Sequence, residues 1–263
     1  MNLNPGKIVP LIILVLMISV TTYAQTKPDR PLDLYILIGQ SNMAGRAPIT
    51  AENKDEHDDR VFMFTKDQQW VVARHPLHFD KPKSVGAGPG LSFGIAMAQA
   101  NPKVQIGLIP CAVGGSPIEH WLPGAYDKAT DTHPYDDAVI RIKAAMAYGT
   151  IKGILWHQGE SNSKADQAKI YLAQLTELIS RVRALVGNPK VPFIAGELGR
   201  YRPVYANINV ELAKLPASVP LTAVVSSEGL VHKGDTTHFD GPSVRELGKR
   251  YAAQMLKVQA LLK

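Results

Sequence analysis

The fold of this chain is constrained most by the alternation of short apolar runs with longer segments of helical periodicity. The apolar runs predict strands at residues 32–38, 104–109, 151–156, 191–196 and 221–226. The helical patterns between and after them cover residues 91–100, 136–148, 164–186, 204–215 and 242–262. Strands that alternate with helices of this length form βαβ units. The sequence therefore predicts an α/β, three-layer α/β/α sandwich with a central parallel sheet.

Length and composition favour one globular domain. The chain has 263 residues, of which 45% are hydrophobic and 20% charged, so it can bury a full core. The net charge of +6 is scattered rather than gathered into a basic stripe, which argues against nucleic-acid binding. Cys111 is the single cysteine and lies in an apolar stretch. We expect it to pack as a small hydrophobe, without a disulfide and without a catalytic role.

The N-terminal residues 1–24 have the pattern of a secretory signal peptide. Lys7 is their one charge, an apolar run covers residues 8–20, and Ala24 supplies a small residue before a cut. The run is shorter than the roughly 20 residues of a membrane-spanning helix. We therefore expect a mature domain at residues 25–263, secreted or periplasmic and without a membrane anchor. An uncleaved N-terminal anchor is the alternative.

A long irregular segment, residues 46–89, interrupts the alternation. It contains two further strand candidates, residues 61–64 and 70–73. Loops of this length are often functional. A decorative insertion with a small hairpin fits the sequence equally well, so both interpretations stay open.

Polar residues follow the predicted strands at four places. They lie at residues 39–42, 114–116, 157–162 and 234–241. Parallel sheets place ligand sites at the carboxyl ends of their strands, so these segments are expected to meet at one edge. Convergent polar groups at such an edge are typical of an active site.

Three of these residues suit nucleophilic catalysis. A serine hydroxyl needs a base to take its proton, and histidine held by a carboxylate is the usual base. Ser41 follows the first strand, while Asp235 and His238 lie three residues apart. We predict Ser41 as nucleophile, His238 as general base and then acid, and Asp235 as the group that orients His238. Taken alone, Ser41 also fits a helix cap.

The oxyanion that forms in such a reaction needs preorganised N–H donors. The candidates are the backbone of Ser41, the backbone of Gly114 or Gly115, and the side-chain amide of Gln158. His157 is expected to be a structural histidine. Gln40 and Asn42 are expected to hydrogen-bond neighbouring loops and hold the turn around Ser41.

The motifs "IGQSNMAG", "PCAVGGSPIEHW", "WHQGESN" and "GDTTHFDGPSVRELGKRYA" resemble the conserved blocks of the SGNH hydrolases. More narrowly, they resemble carbohydrate esterase family 6 and sialate O-acetylesterase-like domains. The resemblance implies a flavodoxin-like sandwich that removes acetyl groups from polysaccharide, typically acetylated xylan, without metal or cofactor. It places the nucleophile on Ser41, the Asp-x-x-His pair on Asp235 and His238, and glutamine (Gln158) where many relatives carry an oxyanion asparagine. The absence of G-x-S-x-G argues against an α/β-hydrolase lipase.

Several alternatives remain at this level. Glu160 is a second candidate for the carboxylate that supports His238. The same chemistry would suit a sialate or other sugar O-acetylesterase, or a small-ester hydrolase. A non-catalytic glycan-binding module would keep the fold without the reaction, and His232 with Asp235 and His238 would suit a metal-dependent deacetylase.

The sequence does not decide the sugar or the oligomeric state. Trp70 and Trp121 are candidates for stacking on a pyranose ring, and core packing is an equal alternative for each.

Overall fold

The structure is a computed structural model that describes Met1 and residues 27–262. The predicted signal peptide, apart from Met1, lies outside the described residues and stays a prediction. Within residues 27–262, no helix has both the length and the apolar character needed to cross a membrane.

One sheet organises the described part of the chain, and its seven strands run in the order β3-β2-β4-β1-β5-β6-β7. The strands are β1 (Leu32–Gly39), β2 (Val61–Phe64), β3 (Trp70–Val72), β4 (Gln105–Pro110), β5 (Gly149–His157), β6 (Phe193–Gly196) and β7 (Thr222–Val225). All neighbouring pairs are parallel except β2 with β3, which form an antiparallel hairpin at the edge. The predicted sheet is confirmed, with an antiparallel edge strand from the long irregular segment.

Helices cover both faces of the sheet. They are α1 (Ser41–Ala44), α2 (Pro89–Ala100), α3 (Pro134–Ala145), α4 (Ala165–Leu185), α5 (Ala206–Ala213), α6 (Leu215–Ser218) and α7 (Gly241–Ala260). Along β1, Leu34 and Ile36 pack into one core with α3, α4 and α5, while Tyr35 and Leu37 pack into a second core with α2 and α7. This alternation, which follows from the two-residue period of a strand, gives the predicted three-layer sandwich.

The predicted helix at residues 204–215 differs from the observed structure. A 3₁₀ turn (Pro203–Tyr205) precedes α5, and a separate short helix, α6, follows it. Pro216 lies in the first turn of α6, where a missing N–H costs least. The proline therefore favours a new helix start rather than a continuous helix.

Strand order sets the position of the polar segments. Because β1 lies between β4 and β5, the chain after β1 is flanked by the chain after each neighbour. Gly39 pairs with His157 in register, and a Cβ at residue 39 would collide with the His157 carbonyl oxygen. Gly39 also has φ +129°, a conformation that favours glycine. Two of the predicted polar segments therefore leave the sheet side by side.

Candidate active site

Ser41 is presented by the sharp turn from β1 into α1. Gln40 N donates a 2.8 Å hydrogen bond to the carbonyl of His157, which fixes the chain just before the serine. Gln40 is the N-cap residue of α1, and no side chain caps this helix. The hydroxyl of Ser41 is therefore not used as a helix cap and remains available for another partner.

That partner is His238, which links Ser41 to Asp235. Ser41 Oγ lies 2.9 Å from His238 Nε2, and His238 Nδ1 lies 2.7 Å from Asp235 Oδ2. The second oxygen, Asp235 Oδ1, accepts the backbone N–H groups of Thr237 at 3.0 Å and His238 at 2.8 Å. The structure thus brings together the three residues predicted from the sequence as nucleophile, base and orienting acid.

The electrostatics of this chain of hydrogen bonds keep the carboxylate ionised and the imidazole neutral. Partial burial opposes ionisation of Asp235, but hydrogen bonds from His238 and Thr237 outweigh it and hold the pKa of Asp235 well below its usual range. Burial lowers the pKa of His238 below 6.5, and the positive charges of Lys233 and Arg46 act in the same direction, while Asp235 opposes them. A neutral His238 can accept a proton at Nε2.

Asn42 ties the serine to the loop that carries His238. Its Nδ2 donates to the carbonyl of Thr237 at 3.0 Å, and its Oδ1 accepts the N–H of Phe239 at 3.2 Å. These two backbone groups belong to the residues on either side of His238. The expectation that Asn42 bonds a neighbouring loop is confirmed, and the structure adds that this loop is the one bearing the base.

Glu160 contacts Asn42 and not His238. Its Oε1 accepts Asn42 Nδ2 at 2.6 Å, and its Oε2 is buried without a hydrogen-bond partner among the described residues. Burial raises the pKa of Glu160 to about 7, against the opposing effect of the Asn42 hydrogen bond. The carboxylate that lies against His238 is therefore Asp235, and Glu160 is placed to orient Asn42.

Two of the candidate oxyanion donors are backbone N–H groups that remain free among the described residues. The N–H groups of Ser41 and Gly115 have no acceptor in the part of the chain that the structure describes, and Gly115 is exposed. Gly114 differs, because its N–H donates to Asp80 Oδ2 at 2.7 Å. Of the two glycines predicted as oxyanion donors, Gly115 keeps an available donor and Gly114 does not.

Gln158 does not fit its predicted role as an oxyanion donor. Its side chain is fully buried, and its Nε2 lies within hydrogen-bond distance of three oxygens: Asn162 Oδ1 at 2.7 Å, Gln40 Oε1 at 3.2 Å and the Ser116 carbonyl at 3.3 Å. Its Oε1 accepts the hydroxyl of Tyr171 at 2.8 Å. The amide protons are thus committed to holding the surrounding loops together.

Other candidate residues also have structural roles. His157 is buried, its Nδ1 lies 3.0 Å from the Tyr251 hydroxyl, and burial lowers its pKa to about 3, so it stays neutral. His232 Nδ1 accepts two backbone N–H groups of its own loop. Trp70 and Trp121 are 6% and 1% exposed and pack in the core, which leaves no face for a sugar ring.

Cys111 is buried as expected. Burial raises the pKa of its thiol to about 11, so the sulfur remains a protonated, unreactive core atom.

Three charged residues near the site were not predicted from the sequence. Arg46 and Asp80, both in the long irregular segment, form a buried ion pair of 2.6 Å. Lys233 Nζ donates to the carbonyl of Arg46 at 3.0 Å and lies 3.7 Å from Asp235 Oδ2. No local motif marks these residues, because their partners are distant in sequence.

The described residues form an α/β sandwich in which a serine, a histidine and an aspartate share one chain of hydrogen bonds, an arrangement typical of serine hydrolases. The family model "SASA: Carbohydrate esterase, sialic acid-specific acetylesterase" matches residues 31–257. The chain therefore belongs to this family of carbohydrate esterases, and membership implies ester hydrolase activity.

Individual relatives agree with this family. A probable carbohydrate esterase of Arabidopsis thaliana is 30% identical over 254 residues, which cover 87% of this chain and 92% of the relative. A solved structure of an Arabidopsis thaliana protein is 28% identical with a TM-score of 0.77, and the match covers 86% of this chain and 98% of that one.

Two more distant solved structures share the fold. NanS is 16% identical with a TM-score of 0.70, and the match covers 90% of this chain and 99% of that one. A carbohydrate acetylesterase from Xanthomonas citri is 21% identical with a TM-score of 0.64, and the match covers 87% of this chain and 57% of that one.

The raised pKa of Glu160 predicts a pH dependence of stability. Between about pH 4.5 and 7 the folded state keeps a proton on Glu160 that the unfolded state has lost. The free energy of unfolding should therefore fall as the pH rises through this window. Glu160→Gln, which is neutral throughout, should gain on the order of 2 kcal/mol relative to the wild type between pH 5 and pH 8.

Urea unfolding at both pH values measures this gain. Glu177→Gln is the control, because that carboxylate is 71% exposed and should give no such gain. Equal pH dependence in the wild type and Glu160→Gln would show that Glu160 ionises normally in the fold.

Proposed function

We propose that this protein is a serine carbohydrate O-acetylesterase in which Ser41, His238 and Asp235 form the catalytic triad. The observation that carries the proposal is the continuous chain of hydrogen bonds from Asp235 Oδ2 through the imidazole to Ser41 Oγ, at 2.7 and 2.9 Å. Family membership supports ester hydrolysis, and the geometry supports these residues as its agents.

The first half of the reaction transfers the acetyl group to the enzyme. Ser41 Oγ attacks the acetyl carbonyl carbon while its proton moves to His238 Nε2, and the carbonyl π electrons move to the oxygen. The free N–H groups of Ser41 and Gly115 stabilise that oxyanion. The intermediate then expels the sugar oxygen, which takes the proton from His238, and an acetylated Ser41 remains.

The second half repeats these steps with water. His238 removes a proton from the water as it attacks the acetyl carbon, and it returns the proton to Ser41 Oγ when acetate leaves. Asp235 stays ionised throughout, which its lowered pKa favours, and it stabilises the imidazolium that forms twice in the cycle. Each step uses only side chains and backbone groups of this chain.

An acetylated polysaccharide, with acetylated xylan as the leading candidate, is the substrate that we propose. Asp235 and His238 have side chains that are 38% and 22% exposed, and Gly115 is exposed as well, so the site lies open at the surface. An open site can accept one acetylated sugar within a longer chain. The predicted signal peptide agrees with action on such a polymer outside the cytoplasm. The family description favours a sialate O-acetate as the second candidate.

The test is a side-by-side assay of acetylated xylan, O-acetylated sialic acid and an aryl acetate, with Ser41→Ala as the reference variant. The wild type should release acetate, and folded Ser41→Ala should lose roughly 10³-fold or more of the turnover because it lacks the nucleophile. Retained turnover in the folded variant would exclude Ser41. Xylan turnover far below sialate turnover would make the second candidate the substrate.

The lowered pKa of His238 predicts the acidic limb of the pH–rate profile. Activity should rise as His238 loses its proton, so the midpoint of kcat/KM should lie below pH 6.5. Lys233→Gln removes a positive charge beside the triad and should move this midpoint upward. Lys169→Gln, an exposed change on α4, is the control. A profile that stays flat between about pH 4 and 8 would argue against a histidine base.

The two carboxylates near the serine should differ in kinetic importance. Asp235→Asn removes the charge that holds His238 in the correct tautomer, and we expect a loss of about 10⁴ in turnover. Glu160→Gln keeps an acceptor for Asn42 and should cost less than about 10-fold, well below the loss of a direct catalytic group. Turnover of both folded variants on one aryl acetate measures the difference. A larger loss in Glu160→Gln would assign the acid role to Glu160.

A further inference from the structure

The long irregular segment reaches the active site through one buried ion pair. Arg46 Nη2 and Asp80 Oδ2 lie 2.6 Å apart, and their side chains are 6% and 3% exposed. The same oxygen, Asp80 Oδ2, accepts the N–H of Gly114 at 2.7 Å. The segment is thus joined to the glycine loop after β4 that carries the free N–H of Gly115.

The geometry of this pair suits positioning better than stability. A carboxylate and a guanidinium interact most strongly through two parallel hydrogen bonds. Here Asp80 Oδ2 accepts one hydrogen bond from Arg46 Nη2 and one from Gly114 N, so the pair with Arg46 has a single bond. Asp80 Oδ1 is buried without a partner among the described residues. Burying two charges costs free energy that an imperfect pair does not fully recover. The burial of this ion pair is better explained by its hydrogen bond to the Gly114 N–H, which fixes the position of the glycine loop.

The glycine loop fits closely against the pair. A Cβ at Gly114 would collide with Arg46 Nη2 and would lie 2.8 Å from Asp80 Oδ2. A second contact holds the loop, because Ser161 Oγ donates to the carbonyl of Gly115 at 3.0 Å. With Gly114 N–H and Gly115 C=O both held, the peptide between these two residues has little rotational freedom, and its N–H is the free donor of Gly115.

We propose that Asp80, fixed by Arg46, is a positioning residue of the oxyanion hole. By accepting the Gly114 N–H it fixes the Val113–Gly114 peptide, and this orients the next peptide so that the Gly115 N–H faces the oxygen of the tetrahedral intermediate. The inference rests on the proposed esterase function. It also assigns a role to residues 46–89, which carry the pair to the site.

The test compares Asp80→Asn with Asp58→Asn. Asp58 pairs with Arg60 at 2.6 Å in the same segment but makes no hydrogen bond to the glycine loop, so it is a matched control. Asp80→Asn removes the charge that pairs with Arg46, so the acceptor of the Gly114 N–H is no longer fixed by an ion pair. We expect kcat on an aryl acetate to fall about 10- to 100-fold, since a misplaced oxyanion donor weakens transition-state stabilisation. KM should change less than about 2-fold, and Asp58→Asn should keep wild-type turnover.

The affinity for a boronic acid distinguishes a positioning role of Asp80 from a purely structural one. It forms a tetrahedral adduct on the serine oxygen, and one boron hydroxyl occupies the oxyanion position. Its affinity should fall in Asp80→Asn by about the same factor as kcat. Rates are expressed per active site, and active sites are counted from the burst of aryl alcohol released when Ser41 is acetylated. Unchanged kcat per active site and unchanged boronate affinity would overturn the inference.

A paired variant guards against misfolding caused by an unpaired buried charge. Arg46→Met combined with Asp80→Leu removes both charges and also the acceptor of Gly114 N–H. It should show the same loss of kcat and of boronate affinity as Asp80→Asn. Wild-type values in the paired variant would refute the inference, and so would failure of both variants to fold, since the pair would then support the fold itself. Turnover retained by Ser41→Ala would refute the proposed function itself. Loss of turnover in Ser41→Ala with wild-type values in the Asp80 variants would refute only the role of Asp80, so the two results are distinguishable.

Discussion

The close approach of β1 and β5 at their carboxyl ends is the constraint on which the rest of the site depends. Gly39 packs directly against the His157 carbonyl, and the same carbonyl accepts the N–H of Gln40. This contact fixes the direction in which the chain leaves β1. It therefore sets the position of Ser41, and it places Asn42 beside Glu160 from the neighbouring strand end.

Buried polar groups connect the loops that form the site. Gln158 bonds Gln40, Asn162 and Ser116, and Asn42 bonds Glu160 and both neighbours of His238. Such a network specifies one arrangement of loops only when its members are satisfied. One oxygen of Glu160 has no hydrogen-bond partner within residues 27–262, and a raised pKa lets a proton remove the charge that burial would otherwise penalise.

The sequence predicted those parts of the fold and site that have local signals. Strand positions follow from apolar runs, and Asp235 and His238 are recognisable as a pair because they lie three positions apart in one loop. The hydrogen-bond partners of Gln158 could not be predicted, because the side to which a buried amide turns depends on distant residues such as Tyr171 as well as on Asn162. Asp80 was not predicted, because its contact with Gly114 joins segments 34 residues apart and leaves no local pattern.

The nucleophile and the base lie on elements of different local stability. Ser41 stands at the end of a central strand, whereas His238 belongs to an exposed surface loop that Asn42 joins to the serine. Exposed loops open at lower free energy than central strands do. Heat or mild denaturant is therefore expected to separate the base from the serine while the sheet stays intact, so that activity is lost in a local opening before global unfolding.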